Sequence, residues 1–201
     1  MIPSIILHEV SHGMVANWFG DVTAKRAGRL TLNPASHVDP FGTLLLPLLT
    51  AAAGFGVFGY AKPVPVQPRN LRSPRNHSLL VALAGPATNL TIALFAALAL
   101  RLVPPQRIVG TVAGLADQPL AVQVLIWLGI VNVILAVFNL LPVPPLDGSA
   151  VVERLLPARL WPGYLHLRRF SMPVLLLVLL LAPQVFQGVL EWAITQWVKL
   201  I

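Results

Sequence analysis

No cysteine occurs among the 201 residues. A disulfide framework, a thiol nucleophile, an iron–sulfur cluster and Cys-ligated zinc are therefore all excluded, and any metal must rest on histidine and carboxylate. Charge is scarce as well. Asp, Glu, Lys and Arg make up 10% of the chain, against roughly 25% in soluble domains. With 56% apolar residues, the composition is that of a protein whose solvent is partly lipid, and it excludes disorder and coiled coil. Internal repeats and low-complexity tracts are lacking too, so a solenoid is not in question. Acidic residues are few, seven against 14 Lys plus Arg. A pI near 11.1 would suit nucleic acid, but the basic residues flank apolar runs, where positive-inside orientation and anionic headgroups explain them, so no nucleic-acid partner is expected.

The charge-free intervals are informative. No Asp, Glu, Lys or Arg lies between Glu9 and Asp21, Asp39 and Lys62, Arg75 and Arg101, Asp117 and Asp147, or Arg169 and Glu191. These intervals give five membrane segments, at residues 1–19, 41–61, 79–101, 120–146 and 170–193, in a single membrane-embedded domain over 1–201. At about 1.5 Å per residue, segment 79–101 matches a hydrocarbon core of about 30 Å. Segment 120–146 should be helical to about Leu141 and irregular beyond it, because Pro142, Pro144 and Pro145 follow. Segment 41–61 is interrupted by Pro47, Gly54, Gly56 and Gly59, which favours a re-entrant loop over a straight crossing. Residues 1–19 lack a basic leading region and a cleavage site, so they read as a membrane segment and not a signal peptide. The expected fold is thus an all-α polytopic membrane protein with a re-entrant loop. Seven Lys or Arg lie between Lys25 and Arg75 and four between Arg154 and Arg169, against two just after Leu100. Segments 20–78 and 147–169 are therefore expected on the cytoplasmic side of a multi-pass cell-membrane protein.

The chemistry concentrates in HEVSH, residues 8–12. On a helix, His8 and His12 are one turn apart and can grip one ion, while Glu9 projects about 100° away and can serve a water on that ion. Zinc lowers the pKa of such a water towards 7, and a carboxylate can take its proton and return it to a leaving nitrogen. Two imidazoles and a carboxylate in an apolar helix are costly without partners, which marks them as functional. A catalytic zinc takes three protein ligands and keeps a fourth position open. For the third ligand the sequence offers His37, Asp39, His77, Asp117, Asp147, Glu153 and His166. Asp147 stands apart, since it ends an uncharged run and closes the proline-rich NLLPVPPLDG of residues 139–148.

Taken together, these motifs make the chain resemble the site-2 proteases, intramembrane zinc metalloproteases that cut transmembrane segments. HEVSH matches that family's HExxH and NLLPVPPLDG its NxxPxxxLDG; ALAGPATNL at 82–90, GRLTLNPASHVDPFGTLLLP at 28–47 and GYAKPVPV at 59–66 are similar to a small bacterial and archaeal branch without large regulatory domains. The resemblance implies one Zn2+ per chain on His8, His12 and Asp147, with Glu9 as general base. It implies that Asn139 and Asn89 face the cleft and orient the substrate backbone or an oxyanion, a task suited to neutral amides. It also implies transmembrane protein substrates. To bring HEVSH and Asp147 to one depth, the first helix and the 120–146 helix must run parallel, with 79–101 crossing between them.

Short β segments near the active site, around residues 29–32 and 60–66, would offer an edge to an unwound substrate. The family usually has a longer apolar lead-in than the seven residues before His8, about 10 Å of helix. Either the start is truncated or other helices cover residues 1–7. The alternatives are a catalytically inactive metal-binding or scaffold homologue, against which an intact Glu9 speaks, and a secondary transporter, which should show inverted repeats.

Overall fold

A computed structural model of the chain describes residues 1–45, 48, 51–52, 62–103, 117–182 and 184–201. The helices are α1 (Ile2–Trp18), α2 (Thr23–Arg26), α3 (Pro74–Arg101), α4 (Leu120–Asn139), α5 (Ser149–Leu155), α6 (Trp161–Arg168), α7 (Ser171–Leu181) and α8 (Gln184–Val198). The all-helical expectation holds among the described residues. α3 and α4 are long and apolar enough to cross a membrane; their 28 and 20 residues correspond to about 42 and 30 Å of helix.

The centre of the bundle is α3, which packs on α1 and α4. Among its buried positions, Val81, Gly85, Asn89, Ala93, Ala97 and Leu100 follow a spacing of three or four residues, with Pro86 and Ala96 beside them, and several are small. On α1, four of the buried positions, Ser4, His8, His12 and Ala16, form the matching stripe. Small side chains let helix backbones approach closely where lipid supplies no hydrophobic drive between helices. The outer surface is the reverse, with Phe95 67% and Trp192 64% exposed, as expected of faces that meet acyl chains.

Contacts fix the helix directions. Ser4 of α1 meets Asn132 of α4, and further along both chains His8 and His12 meet Asp147, so α1 and α4 run the same way. Along α3 the order is reversed, for Val81 touches His12 and Asn89 touches His8. This is the parallel pair with one crossing between them that the sequence required. At the far end, Trp197 of α8 donates from Nε1 to the Ala93 carbonyl at 2.8 Å, and Gly129 leaves the room for its ring, since a Cβ there would lie 1.8 Å from Trp197 Cζ2.

Two expectations differ from the structure, and a third lies mostly outside the described residues. Segment 170–193 is two helices, α7 and α8, bent by 78°; Pro183 lies between them in the sequence, and a proline has no N–H with which to continue a helical ladder. No strand forms at 29–32 or 62–66 among the described residues, because Pro63 and Pro65 lack donors and neighbouring amides are taken by other partners. Most of the expected re-entrant loop at 41–61, with Tyr60 and Ala61 of the second β segment, lies outside the described residues; 40–45 form a wide helical turn.

After α1 the chain reverses at Gly20, whose φ of +106° suits glycine. The next residue, Asp21, is fully buried. Its carboxylate accepts from Thr23 N at 3.0 Å, Gln67 N at 2.6 Å and Asn70 Nδ2 at 3.1 Å, and also from the Thr23 hydroxyl. Burial alone pushes this carboxyl up, but the donors outweigh it and hold its pKa below the ordinary value. Such a group stabilises the fold above its unfolded pKa and loses that contribution as pH falls through the folded one. Asp21→Ala should lower stability by about 1–3 kcal/mol near neutrality, leaving buried donors unmatched. In thermal melts the gap to the parent should be full above the ordinary value of 3.8 and close below it; a gap that ignores pH would remove the carboxylate as its source.

Candidate metal centre

The i and i+4 positions of α1 put the imidazoles of His8 and His12 against α3, 6% and 8% exposed, with ring centroids 4.7 Å apart and planes at 83°. From the loop after α4, Asp147 brings Oδ2 to 3.1 Å from His8 Nε2 and 3.4 Å from His12 Nε2. Two ligand atoms on a tetrahedral zinc, each about 2.0–2.1 Å from the ion, stand about 3.3 Å apart. The observed separations straddle that figure, and all three donor atoms lie within 4.8 Å of one another.

Tautomers reinforce the fit. His12 Nδ1 is 2.7 Å from the Val81 carbonyl, which can only accept, so the ring proton is on Nδ1 and Nε2 aims a lone pair at Asp147. Asp147 Oδ2 is itself buried without a hydrogen-bond partner. Lone pairs facing one another in a buried place call for a cation between them. His8 Nδ1 lies 3.1 Å from Nδ2 of Asn89, whose Oδ1 is buried and unpartnered. Turned by half a rotation, the same amide accepts from an Nδ1–H, and His8 then presents Nε2 as His12 does.

The fourth wall is Gly85 on α3. A Cβ there would stand 2.5 Å from Nε2 of both histidines, within the space at which the two nitrogens aim. Glycine leaves a gap that any side chain would fill. The loop that delivers Asp147 is closed by its own ends, with Gly148 N donating to the Asn139 carbonyl at 2.6 Å. Gly148 has to be glycine, for a Cβ would come 2.2 Å from the Leu140 carbonyl oxygen. α5 beyond it is tied to α3 by Arg75, which donates to the Arg154 and Leu156 carbonyls at 2.7 and 2.9 Å.

Four expected residues, His8, His12, Asp147 and Asn89, therefore meet at one place. Glu9 follows His8 and accepts from Val64 N at 2.9 Å. Asn139 donates from Nδ2 to Leu135 of its own helix at 2.9 Å and sits at the base of the Asp147 loop. Asn89 is fully buried behind His8, a contact with the histidine and not with a cleft. Of the other third-ligand candidates, His37 meets the Thr31 carbonyl, Asp39 accepts from Gly42 N, His77 meets Ser73 N, Glu153 meets Tyr164 and Arg168, and His166 meets Arg169; Asp117 joins no metal-type cluster. Among the described residues only His8, His12 and Asp147 group as a possible metal site. Sequence reasoning missed Gly85, Val64, Asp21 and Asn132. Gly85 carried a signal, a glycine in the helix crossing between the two motifs; the others had none that spacing alone reveals.

Comparison with known proteins follows the same line. The model of peptidase family M50 matches residues 1–182. A Bacillus subtilis protein named "Putative zinc metalloprotease YwhC" is 43% identical over 159 residues, covering 78% of this chain and 67% of that one. Rip2 of Mycobacterium tuberculosis strain H37Rv, with the same description, is 35% identical over 198 residues, 94% of this chain and 69% of its own. Rip2 of Mycolicibacterium smegmatis is 34% identical over 173 residues, 81% of this chain and 61% of its own. No solved structure matches at a significant level.

Gly85→Ala tests the cradle directly. The added methyl would take the space between the imidazoles, so the purified variant should melt as a folded protein yet carry less than about a tenth of the zinc of the parent, whose expected content is about one ion per chain by elemental analysis. Full zinc in the folded variant would show that the ion sits elsewhere.

Proposed function

This chain belongs to peptidase family M50, the site-2 proteases, and is of zinc metalloprotease type; from that premise we propose that it is an intramembrane endopeptidase, cutting peptide bonds within or beside transmembrane segments of other proteins. The observation that carries the reading is the convergence of His8, His12 and Asp147 on the gap at Gly85, inside a bundle whose outer faces are apolar. His8, His12 and Asp147 would hold the zinc. Bound there, zinc supplies a Lewis acid that polarises water and the scissile carbonyl.

The rest is done by this chain's own groups. Glu9 takes the proton of the attacking water on its carboxylate and gives a proton to the departing amine nitrogen. The Nδ1 partners, Val81 and Asn89, keep both imidazoles turned with Nε2 inward. Asn89 thus serves His8, in place of the substrate contact expected of it. Asn139, beside the Asp147 loop, is the amide we assign to the substrate side. The burial of His8 and His12 puts the centre in a medium less polar than water, which strengthens the electrostatic contacts in it. The basic segments 20–78 and 147–169 put the site towards the cytoplasmic face.

The test is a paired measurement of metal and turnover on a helical membrane substrate. Glu9→Gln should keep about one zinc per chain and lose about 10²–10⁴-fold in kcat. Turnover of Glu9→Gln at the parent rate would sink the general-base role. Asp147→Ala should reduce zinc affinity at least about tenfold, and unchanged metal content would remove it from the ligand set. A parent that holds zinc but cuts no membrane substrate would favour the inactive scaffold instead.

A further inference from the structure

The chain at residues 62–67 has prolines at 63 and 65, so only Lys62, Val64, Val66 and Gln67 own a backbone N–H there. Three of the four are committed. Lys62 N donates to the His37 carbonyl at 2.9 Å and Gln67 N to Asp21 Oδ2 at 2.6 Å. Between them, Val64 N donates to Glu9 Oε2 at 2.9 Å. Arg29 adds a grip on the Lys62 carbonyl at 2.6 Å, and Asn70 a further donor to Asp21. This strap is fastened on both sides of Val64, and its central fastening is to the carboxylate assigned above as the base.

A second observation points to the same residue. Gly13 lies one turn beyond Glu9 on the same face of α1. A Cβ on Gly13 would come 2.9 Å from Val64 Cγ1 and 2.6 Å from Leu30 Cδ2. The buried side chain of Val64 thus occupies the notch that Gly13 leaves, while its N–H reaches Glu9 one turn back.

We infer that Val64 is a positioning residue for Glu9. This rests on the proton-transfer role proposed for Glu9. The amide fixes one carboxylate oxygen, Oε2, and leaves Oε1, which no described residue engages, to accept the proton. A glutamate on a helix surface has three rotatable bonds, and a base that wanders is poorly placed most of the time. A backbone N–H is a suitable anchor because it sits on a tied strap and has no ionisation of its own. Pro63 and Pro65 sharpen this, since they remove competing donors and Pro65 keeps Val64 extended. One N–H is delivered to one oxygen.

The substitution Val64→Pro deletes that N–H at a residue already held extended by Pro65, whereas Val64→Ala keeps the N–H and empties the notch. With a membrane substrate that the parent cuts, zinc-loaded Val64→Pro should show kcat at least about tenfold below Val64→Ala, with similar KM and similar zinc per chain. Equal kcat values overturn the inference. A loss of zinc or a rise in KM confined to Val64→Pro also overturns it, because a general structural role would act that way. Hydrogen exchange on the metal-free protein gives a readout without cleavage, and it decides if Val64→Pro does not fold. The Val64 amide should exchange at least about tenfold more slowly in the parent than in Glu9→Ala; equal rates overturn the tie. If the parent cuts nothing, the proteolytic reading fails, while slow exchange released by Glu9→Ala still supports the link between Val64 and Glu9.

Discussion

The Nε2 atoms of two imidazoles and one carboxylate oxygen are held against one another in a buried place, at 3.1 and 3.4 Å. In a medium of low dielectric that arrangement is unfavourable until a cation joins it. The surrounding structure keeps the three donors from relaxing apart. The Val81 carbonyl fixes the His12 ring, Asn89 fixes the His8 ring, and the loop closed between Asn139 and Gly148 leaves Asp147 little freedom. Gly85 contributes by lacking a side chain, which keeps the space between them open.

The helix packing can be read as the support of that cluster. A stripe of small residues on α3 lets α1 and α4 approach from either side, so that donors from three stretches of chain reach one point. The Ser4 to Asn132 hydrogen bond sets the relative height of α1 and α4 at 2.9 Å. Two turns along, that height is what brings Asp147 level with the histidines. Arg75 holds α5 by its last carbonyls and so steadies the loop from the far side. Around this polar interior the large apolar side chains face outward, the distribution suited to a lipid solvent.

Legibility in the sequence depended on whether the physics was local. HEVSH could be read because one helical turn alone decides that His8 and His12 are neighbours. Asp147 could be read because an acid after a charge-free run, between prolines and a glycine, has few inexpensive explanations. Segments 79–101 and 120–146 could be read because hydrocarbon thickness sets a length. The 78° bend between α7 and α8 was not legible, since an uncharged run of the right length hides a break. Nor were the missing strands at 29–32 and 62–66: an extended segment becomes a strand only if a neighbouring strand takes its N–H groups, and here His37 and Glu9 take those of Lys62 and Val64, and Ala24 that of Arg29.

What the sequence determined by itself was the set of donor types, their spacing on the first helix, the apolar helices long enough to cross a membrane and the requirement for two parallel helices with a reversed one between them. These follow from helical periodicity, charge and length, which act over a few residues or over simple sums. Only the tertiary structure decided that Asn89 faces His8, that Gly85 is the wall of the cluster, and that a single amide from a proline-flanked strap meets Glu9. Each of those is a contact between residues 55 or more positions apart, and such contacts are set by how helix faces register against one another, which no local pattern encodes.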